Sequence, residues 1–381
     1  MTRSRFDLED LFFPVEFRPV YFKTKDEENS PGNQSAATSR SAGGTAESDS
    51  SPEEPSDVQK RLMELPEDEV LEENGQESTP EQDGQIEPIS RYKAIVDCER
   101  EYVFKVVSES YELITNQEAV DIGERAYGKL FPDASNHGNF NTLSVIAPGT
   151  RAHCHIDLVH ESFDFAVWEQ DEYIPYLRVT NSYNSTHALK YRIGFVRKAC
   201  TNGVIFDDEV VNVNLPHTRS KLEGEDVSEV VELEADVERL RKLEENFVDY
   251  LKQLQEIRVP KLYTSPVAAR ALDLDFGVDS DDEDRRERER RKAKEFNREI
   301  QTRVDRYYPD LGPNAYAMFN VISDYATHRE KAKERLRINT FQRRTGDWIR
   351  DFIGQQDDPH FGLDSYVEEE LEMFRTAQAL G

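Results

Sequence analysis

The sequence predicts an α+β fold, mostly antiparallel sheet with one capped helix, followed by a region of long helices. Three observations carry that prediction. Leu189, Tyr191, Ile193 and Phe195 alternate with Lys190, Arg192, Gly194 and Val196, the period-2 pattern of a half-buried strand. From Val230 the apolar residues recur at threes and fours instead, through Leu233, Val237, Leu240, Phe247, Leu251 and Leu254, which is helical spacing. Ahead of both, Thr115-Asn116-Gln117-Glu118 has the form of a capping box, an N-cap hydroxyl with a carboxylate three residues on.

Taken in order, Leu11-Phe12-Phe13, Val15, Phe17 and Tyr21-Phe22 are too apolar for a free tail. Residues 14–22 read as a strand, with Pro19 favouring an edge or a bulge. Residues 25–90 hold 4 basic against 18 acidic residues and almost no aromatics. They read as a disordered acidic insertion, with a helical turn near 58–65. Residues 92–97 and 102–107 form a hairpin around Cys98-Glu99-Arg100-Glu101. After the capping box, Ala119, Ile122, Ala126 and Leu130 run at helical spacing until Pro132. Strands follow near 141–147, 151–159, 162–168, 175–180 and 187–198, with one or two more over 204–215. The stretch 181–186, Asn-Ser-Tyr-Asn-Ser-Thr, reads as a turn cluster.

The apolar stripe of 230–257 predicts a long amphipathic helix and a candidate coiled coil, with Glu244 as its interruption; such a seam offers a route to a homo-oligomer. An acidic linker over 279–284 runs into a cationic helix from Arg285 to Tyr308, and a third helix spans roughly 315–353. The final residues form a short acidic helix with Val367, Leu371 and Phe374. The domain reading is therefore a core from 10–24 plus 91–218, the insertion 25–90, a helical region 228–353, and an acidic helix or tail over 354–381.

Charge is uneven. The chain carries −29 over 381 residues, but 285–350 has 18 basic against 10 acidic residues. Mean hydropathy is −0.77. No apolar run is long enough to span a membrane, and the N-terminus has no basic region followed by an apolar stretch. The three cysteines, Cys98, Cys154 and Cys200, form no C-x-x-C, which fits a reducing cytoplasm.

TNSYNSTHAL at 180–189 and GFVRKACTNG at 194–203, with VVSESYELITNQEA at 106–119 and NAYAMFNVISDYATH at 314–328, resemble the phage/plasmid-like protein family, a domain of unknown function carried on mobile elements. The blocks come in the family's order and cover most of 91–330. Thr180, Asn181, Ser182, Arg197, Cys200, Asn202, Gly203 and Asn320 are the residues that carry the resemblance. It implies a prokaryotic host and a mobile-element setting, and brings no activity or catalytic residues with it.

Three constellations bear on chemistry. His153, His155 and Asp157 alternate in RAHCHID and would share one strand face, as in the facial triad that holds a divalent metal; His160 or His187 would complete the set. The plainer reading puts Cys154, Ile156 and Leu158 on the core face and the histidines toward solvent. Second, Lys190, Arg192, Arg197 and Lys198 lie beside Tyr183, Tyr191 and Phe195, a pattern compatible with stacking and phosphate contact, unless the rings face the core. Third, the run with Arg290, Arg291, Lys292, Lys294 and Arg298 is either a solvated helix laced by i,i+4 pairs or a nucleic-acid contact.

No Gly-rich phosphate loop, nucleophile elbow or H-E-x-x-H occurs. The leading expectation is a non-enzymatic protein associated with DNA or RNA, single- or double-stranded, in the replication, recombination or maintenance of a phage, plasmid or similar element. The alternatives are an acidic interaction protein or DNA mimic blocking a DNA-binding enzyme, and a metal-dependent enzyme using His153 and His155.

Overall fold

The computed structural model describes residues 7–23, 86–130, 140–160, 164–169, 171–206, 213–215, 217, 237–277, 281–328 and 337–379. The expected insertion up to residue 85, its helical turn, and the helix start at 230–236 lie outside these. Two units are distinguished, Met1–Val20 with Ser90–Gly381, and Tyr21–Ile89. The described residues of the second are the ends of two strands.

The fold is α+β, with antiparallel sheets and a helical C-terminal region. A three-stranded sheet has the order β1 (Val15–Lys23), β2 (Ile86–Asp97), β3 (Tyr102–Ser108). β2 begins at Ile86, so strand runs five residues into what composition assigned to the insertion; Ile86 and Ile89 are too few to lift the composition of so long an acidic window. A bulge at Ile95/Val96 interrupts the β2–β3 hairpin. Helix α1 (Asn116–Leu130) follows, started by the expected box: the Glu118 amide donates to Thr115 Oγ1, and the Thr115 amide to Glu118 Oε2.

The larger sheet comprises β4 (Asn141–Ile146), β5 (His153–Val159), β6 (Phe165–Trp168), β7 (Asp171–Ser182), β8 (Leu189–Arg197), β9 (Gly203–Ile205) and β10 (Val213–Leu215). Its order is β10-β8-β7-β5-β4, with β6 paired to β7 and β9 to β8. β7 is twice as long as predicted. It continues through Asn181 and Ser182, leaving the turn to Tyr183–His187. On one side β7 pairs with β5 over Tyr176–Ser182 and with β6 over Asp171–Tyr173. Pro175 falls at the break between those partners, where its missing amide leaves no ladder bond unmade on that side.

Alternation splits this sheet into two faces. Cys154, Ile156, Leu158, Leu177, Val179, Tyr191, Ile193 and Phe195 form the core face, all at most 1% exposed. α1 lies on it so closely that a Cβ on Gly123 would come within 2.9 Å of Val179. Helix α2 (Val237–Glu256) covers the rest. Its stripe of Leu240, Leu243, Phe247, Leu251 and Leu254 is buried, and Phe247 stacks on Phe195 at 4.8 Å and meets Tyr173 edge-on at 5.1 Å. The seam expected to form a coiled coil or a homo-oligomer contact is instead filled by the chain's own sheet and helices.

The helical region continues with α3 (Thr264–Ala271), which sequence periodicity did not reveal, and α4 (Glu283–Leu311). α4 starts at Asp282, whose carboxylate accepts from the Arg285 amide, and ends at Gly312, whose φ of 82° suits glycine. It passes through Pro309, tolerated because the helix is about to stop. The expected third helix is two, α5 (Ala315–Thr327) and α6 (Ile338–Gln355). Gln342 Nε2 donates to Thr327 Oγ1 at 3.1 Å; in one straight helix, residues 15 apart would stand roughly 22 Å apart. α7 (Leu363–Tyr366) and α8 (Glu368–Ala379) close the chain. Val367, Leu371 and Phe374 are buried, Phe374 stacking on Phe296 of α4 at 6.1 Å, so the acidic end is part of the core rather than a tail. Among the described residues no helix is long and apolar enough to cross a membrane.

Candidate nucleic-acid interface

Of the residues that carry the family resemblance, Arg197, Cys200, Asn202, Gly203 and Asn320 take part in a largely buried polar joint between the large sheet and the helices α4, α5 and α6. Arg197 donates from Nε to Asp171 at 2.6 Å and from Nη1 to Asn320 at 3.0 Å. Burial works against its charge, yet the Asp171 carboxylate holds the guanidinium above its ordinary value. Asp171 also accepts from the Tyr316 hydroxyl. Asn202 Nδ2 reaches Tyr307 Oη at 3.0 Å, and that hydroxyl donates to Asp324, which also pairs with Arg303 at 2.8 Å and Arg306 at 3.0 Å. His328 Nε2 lies 3.1 Å from both the Cys200 carbonyl and Asn202 Oδ1, and the Gly203 amide donates to Thr327. A Cβ on Gly346 of α6 would overlap the Ile205 carbonyl, so the helix backbone rests directly on β9.

Asn181 and Ser182 serve local order. Asn181 donates to the Ile114 carbonyl and to Asn116, and Ser182 Oγ donates to the His187 carbonyl across the turn. Apart from Asn181 Oδ1, which is buried without a hydrogen-bond partner, these polar groups are satisfied inside the protein, which is what burial demands of them. They fix helices to sheet and leave little for a ligand. The partners Asp171, Tyr307, Tyr316 and Asp324 were not singled out from sequence, because each lies far along the chain from the group it meets.

The four sheet cations divide. Arg197 is committed to the joint, and Lys198 pairs with Asp164 at 2.7 Å and Glu172 at 2.9 Å. Lys190 and Arg192 are half-buried on the other face of the large sheet. The expected stacking platform is lost, since Tyr183, Tyr191 and Phe195 are at most 1% exposed; the alternation that makes the strand turns Tyr191 and Phe195 inward, and Tyr183 packs against Phe13 and Phe104.

On that second face stand His153, His155 and Asp157 of β5, Thr180 and Arg178 of β7, and Lys190 and Arg192 of β8. The register places His155, Thr180 and Lys190 in one row and Asp157, Arg178 and Arg192 in the next. Arg178, 1% exposed, donates twice to Asp157 at 2.6 Å and once to Asn339 of α6 at 3.3 Å. Ser144 donates to the same carboxylate. His155 Nδ1 is 2.8 Å from Thr180 Oγ1. The facial metal set therefore does not assemble: Asp157 is saturated by Arg178 and Ser144, His155 is tied to Thr180, and three cations surround them. Among the described residues no group of His, Cys, Asp or Glu is placed to hold a metal ion. Nor do all these groups face solvent, as expected, for His155 and Asp157 are each 3% exposed. Arg178, a lone charge in the apolar run IPYLRVT, was the sequence signal of this buried pair.

The cationic helix is the remaining site. Ala293, Phe296, Ile300 and Val304 bury one side of α4. Arg291, Lys294 and Arg298, at i, i+3 and i+7, stand exposed on the opposite side, and Arg285, Arg288 and Lys292 are exposed as well. Arg290 is half-buried, and Lys292 is paired with Glu289 at 2.8 Å. The ridge is thus open to a partner, with Glu287 and Glu295 interspersed.

A family model described as Domain of unknown function (DUF932) matches residues 103–347, a span that contains the whole joint, the large sheet and α4. No curated protein and no solved structure matches the chain.

Proposed function

We propose that this chain, which belongs to the family described as Domain of unknown function (DUF932), is a non-enzymatic nucleic-acid-associated protein of a phage, plasmid or similar element. Its task would be in that element's replication, recombination or maintenance, with α4 as the contact to DNA or RNA. The observation that carries this reading is the exposed ridge Arg291, Lys294 and Arg298, within a stretch 285–298 that has 8 basic and 3 acidic residues. Phosphate affinity follows local cation density more than whole-chain charge. A chain at −29 can therefore engage a polyanion where its cations are gathered on one rigid edge.

The test is a titration of labelled single- and double-stranded oligonucleotides at two salt concentrations, followed by fluorescence anisotropy. The triple variant Arg291→Glu, Lys294→Glu, Arg298→Glu should weaken binding to all sequences alike. It should also flatten the log–log salt slope by about 2 to 3 units, close to one per lost phosphate contact. Undiminished binding by that variant, or no salt-dependent binding by the parent, would refute the assignment.

A further inference from the structure

α4 carries its cations in a row. Arg285, Arg288, Arg291, Lys294 and Arg298 follow at steps of three, three, three and four, and all are exposed. Among the described residues none of these is held by a carboxylate, whereas their neighbour Lys292 is paired with Glu289. From Arg285 to Arg298 the helix rises about 20 Å. Its first turns, residues 283–292, hold no buried side chain, and burial begins at Ala293, so this part of α4 presents a convex, rigid edge. The rings of α4 are turned the other way: Phe296, Tyr307 and Tyr308 are buried. Among the described residues the exposed Phe, Tyr and Trp side chains are Tyr21, Tyr92 and Tyr102, in the strands of the small sheet. Asp281, Asp282, Glu283 and Asp284 stand exposed at the N-terminal end of α4.

We infer that the partner of this row is a nucleic-acid duplex, held side-on by its phosphates without regard to base sequence, rather than a single strand. The inference rests on the assignment of α4 as the contact. Proteins that hold single strands combine a charged groove with rings on which bases stack; α4 offers a convex edge and no exposed ring. A duplex is a stiff rod with one charge per about 1.7 Å of axis. Over about 20 Å it presents about 12 phosphates, ample for a straight row of cations. The carboxylates at the helix tip repel phosphates there, which disfavours end-on entry into a groove and leaves the flank of the helix as the contact. The amides of α4 that could read a base edge are taken up by α3: Asn297 accepts from Ser265 at 2.6 Å, and Gln301 donates to Thr264 at 2.8 Å. What remains outward is charge, which positions a duplex but does not read it.

The full chain is titrated with a short labelled duplex and with each of its separated strands, by fluorescence anisotropy across a tenfold range of salt. With about five phosphate contacts, the log–log salt slope is expected near −4.5 for the duplex and near −3.5 for a single strand. The duplex should be bound about tenfold tighter at the low-salt end. A second duplex of unrelated sequence should agree within about twofold, since phosphate contacts carry no sequence information. Arg285→Gln and Arg298→Gln, at opposite ends of the row, should each weaken the duplex about threefold and lower its slope by about one. Equal or tighter binding of a single strand, a tenfold preference between the duplexes, or a loss confined to one end of the row would overturn the inference while the assignment of α4 stood. If the parent binds neither form, or the triple variant Arg291→Glu, Lys294→Glu, Arg298→Glu binds both as the parent does, the assignment of α4 falls and the inference with it.

Discussion

One face of the large sheet is held by area and the other by pairing, although both are built from the same strands one residue out of phase. On the core face, Phe247 inserts among Tyr173, Phe195 and Phe206, and any apolar group of fitting size is tolerated there. On the second face, Arg178 and Asp157 are as deeply buried but tolerate only each other, because a charge without its partner has no water to fall back on. The first arrangement confers bulk stability. The second fixes where Lys190, Arg192 and the imidazoles stand.

The sharpest way to break this contrast is to truncate each side. Phe247→Ala should cost about 3 to 5 kcal/mol, from lost transfer energy plus the cavity left behind, read by urea denaturation. Adding Phe195→Ala should make matters worse still. Arg178→Met should cost about 3 to 4 kcal/mol, because it strands the Asp157 carboxylate. Here a second change should help: Arg178→Met with Asp157→Asn is expected to recover much of the loss. If the double variant is worse than the single one, the second face is packed rather than paired.

Acid sharpens the comparison next. Burial, followed by the charge of His187, lowers His153 to about 4, and His155 and His187 are also lowered. The unfolded chain takes up protons near 6.5 that the folded chain refuses. The stability these groups contribute is therefore complete above about 6.5 and is lost as pH falls toward the folded values. For His153 the loss should be roughly 2 kcal/mol after allowing for its partial exposure. His153→Gln should flatten the pH dependence of the melting temperature between those limits.

The smallest effect belongs to the core side and has the opposite sign. Burial raises Glu244 of α2 to about 7, so the stability it contributes is present below about 4.5 and is lost as pH rises to about 7. Glu244→Gln should stabilise the protein by roughly 1 kcal/mol at pH 8, discounted for partial exposure, and change nothing at pH 4. A loss of stability at pH 8 would mean the carboxylate has a use that burial conceals.

The strands and most helices were legible because alternation and helical spacing are local. Leu189 to Val196 declared their two faces directly, and Thr115 with Glu118 announced α1. The stripe of α2 was legible as apolar, but a seam that fits a second helix fits an aromatic sheet face equally well, so its partner was not. The cations of 180–203 counted as free charge in the sequence, whereas Arg197 and Lys198 meet Asp171 and Glu172 each 26 residues away across the β7–β8 pair. Strand pairing is long-range and register decides it. The His153, His155 and Asp157 pattern gave the shared face correctly. It could not reveal that Arg178, on a different strand, would claim the carboxylate.

The joint between sheet and helices also sets a timetable for synthesis. Asp171 waits for Tyr316, and the Gly203 amide for Thr327, 124 residues later. At about 5 to 20 residues per second, that interval is roughly 6 to 25 seconds on the ribosome. During it the emerging sheet holds its Arg197–Asp171 pair without a cover. A nascent chain stalled before residue 327 therefore presents an open-sided sheet to whatever binds unfinished proteins, and the arrival of α5, rather than completion of the strands, is what closes it.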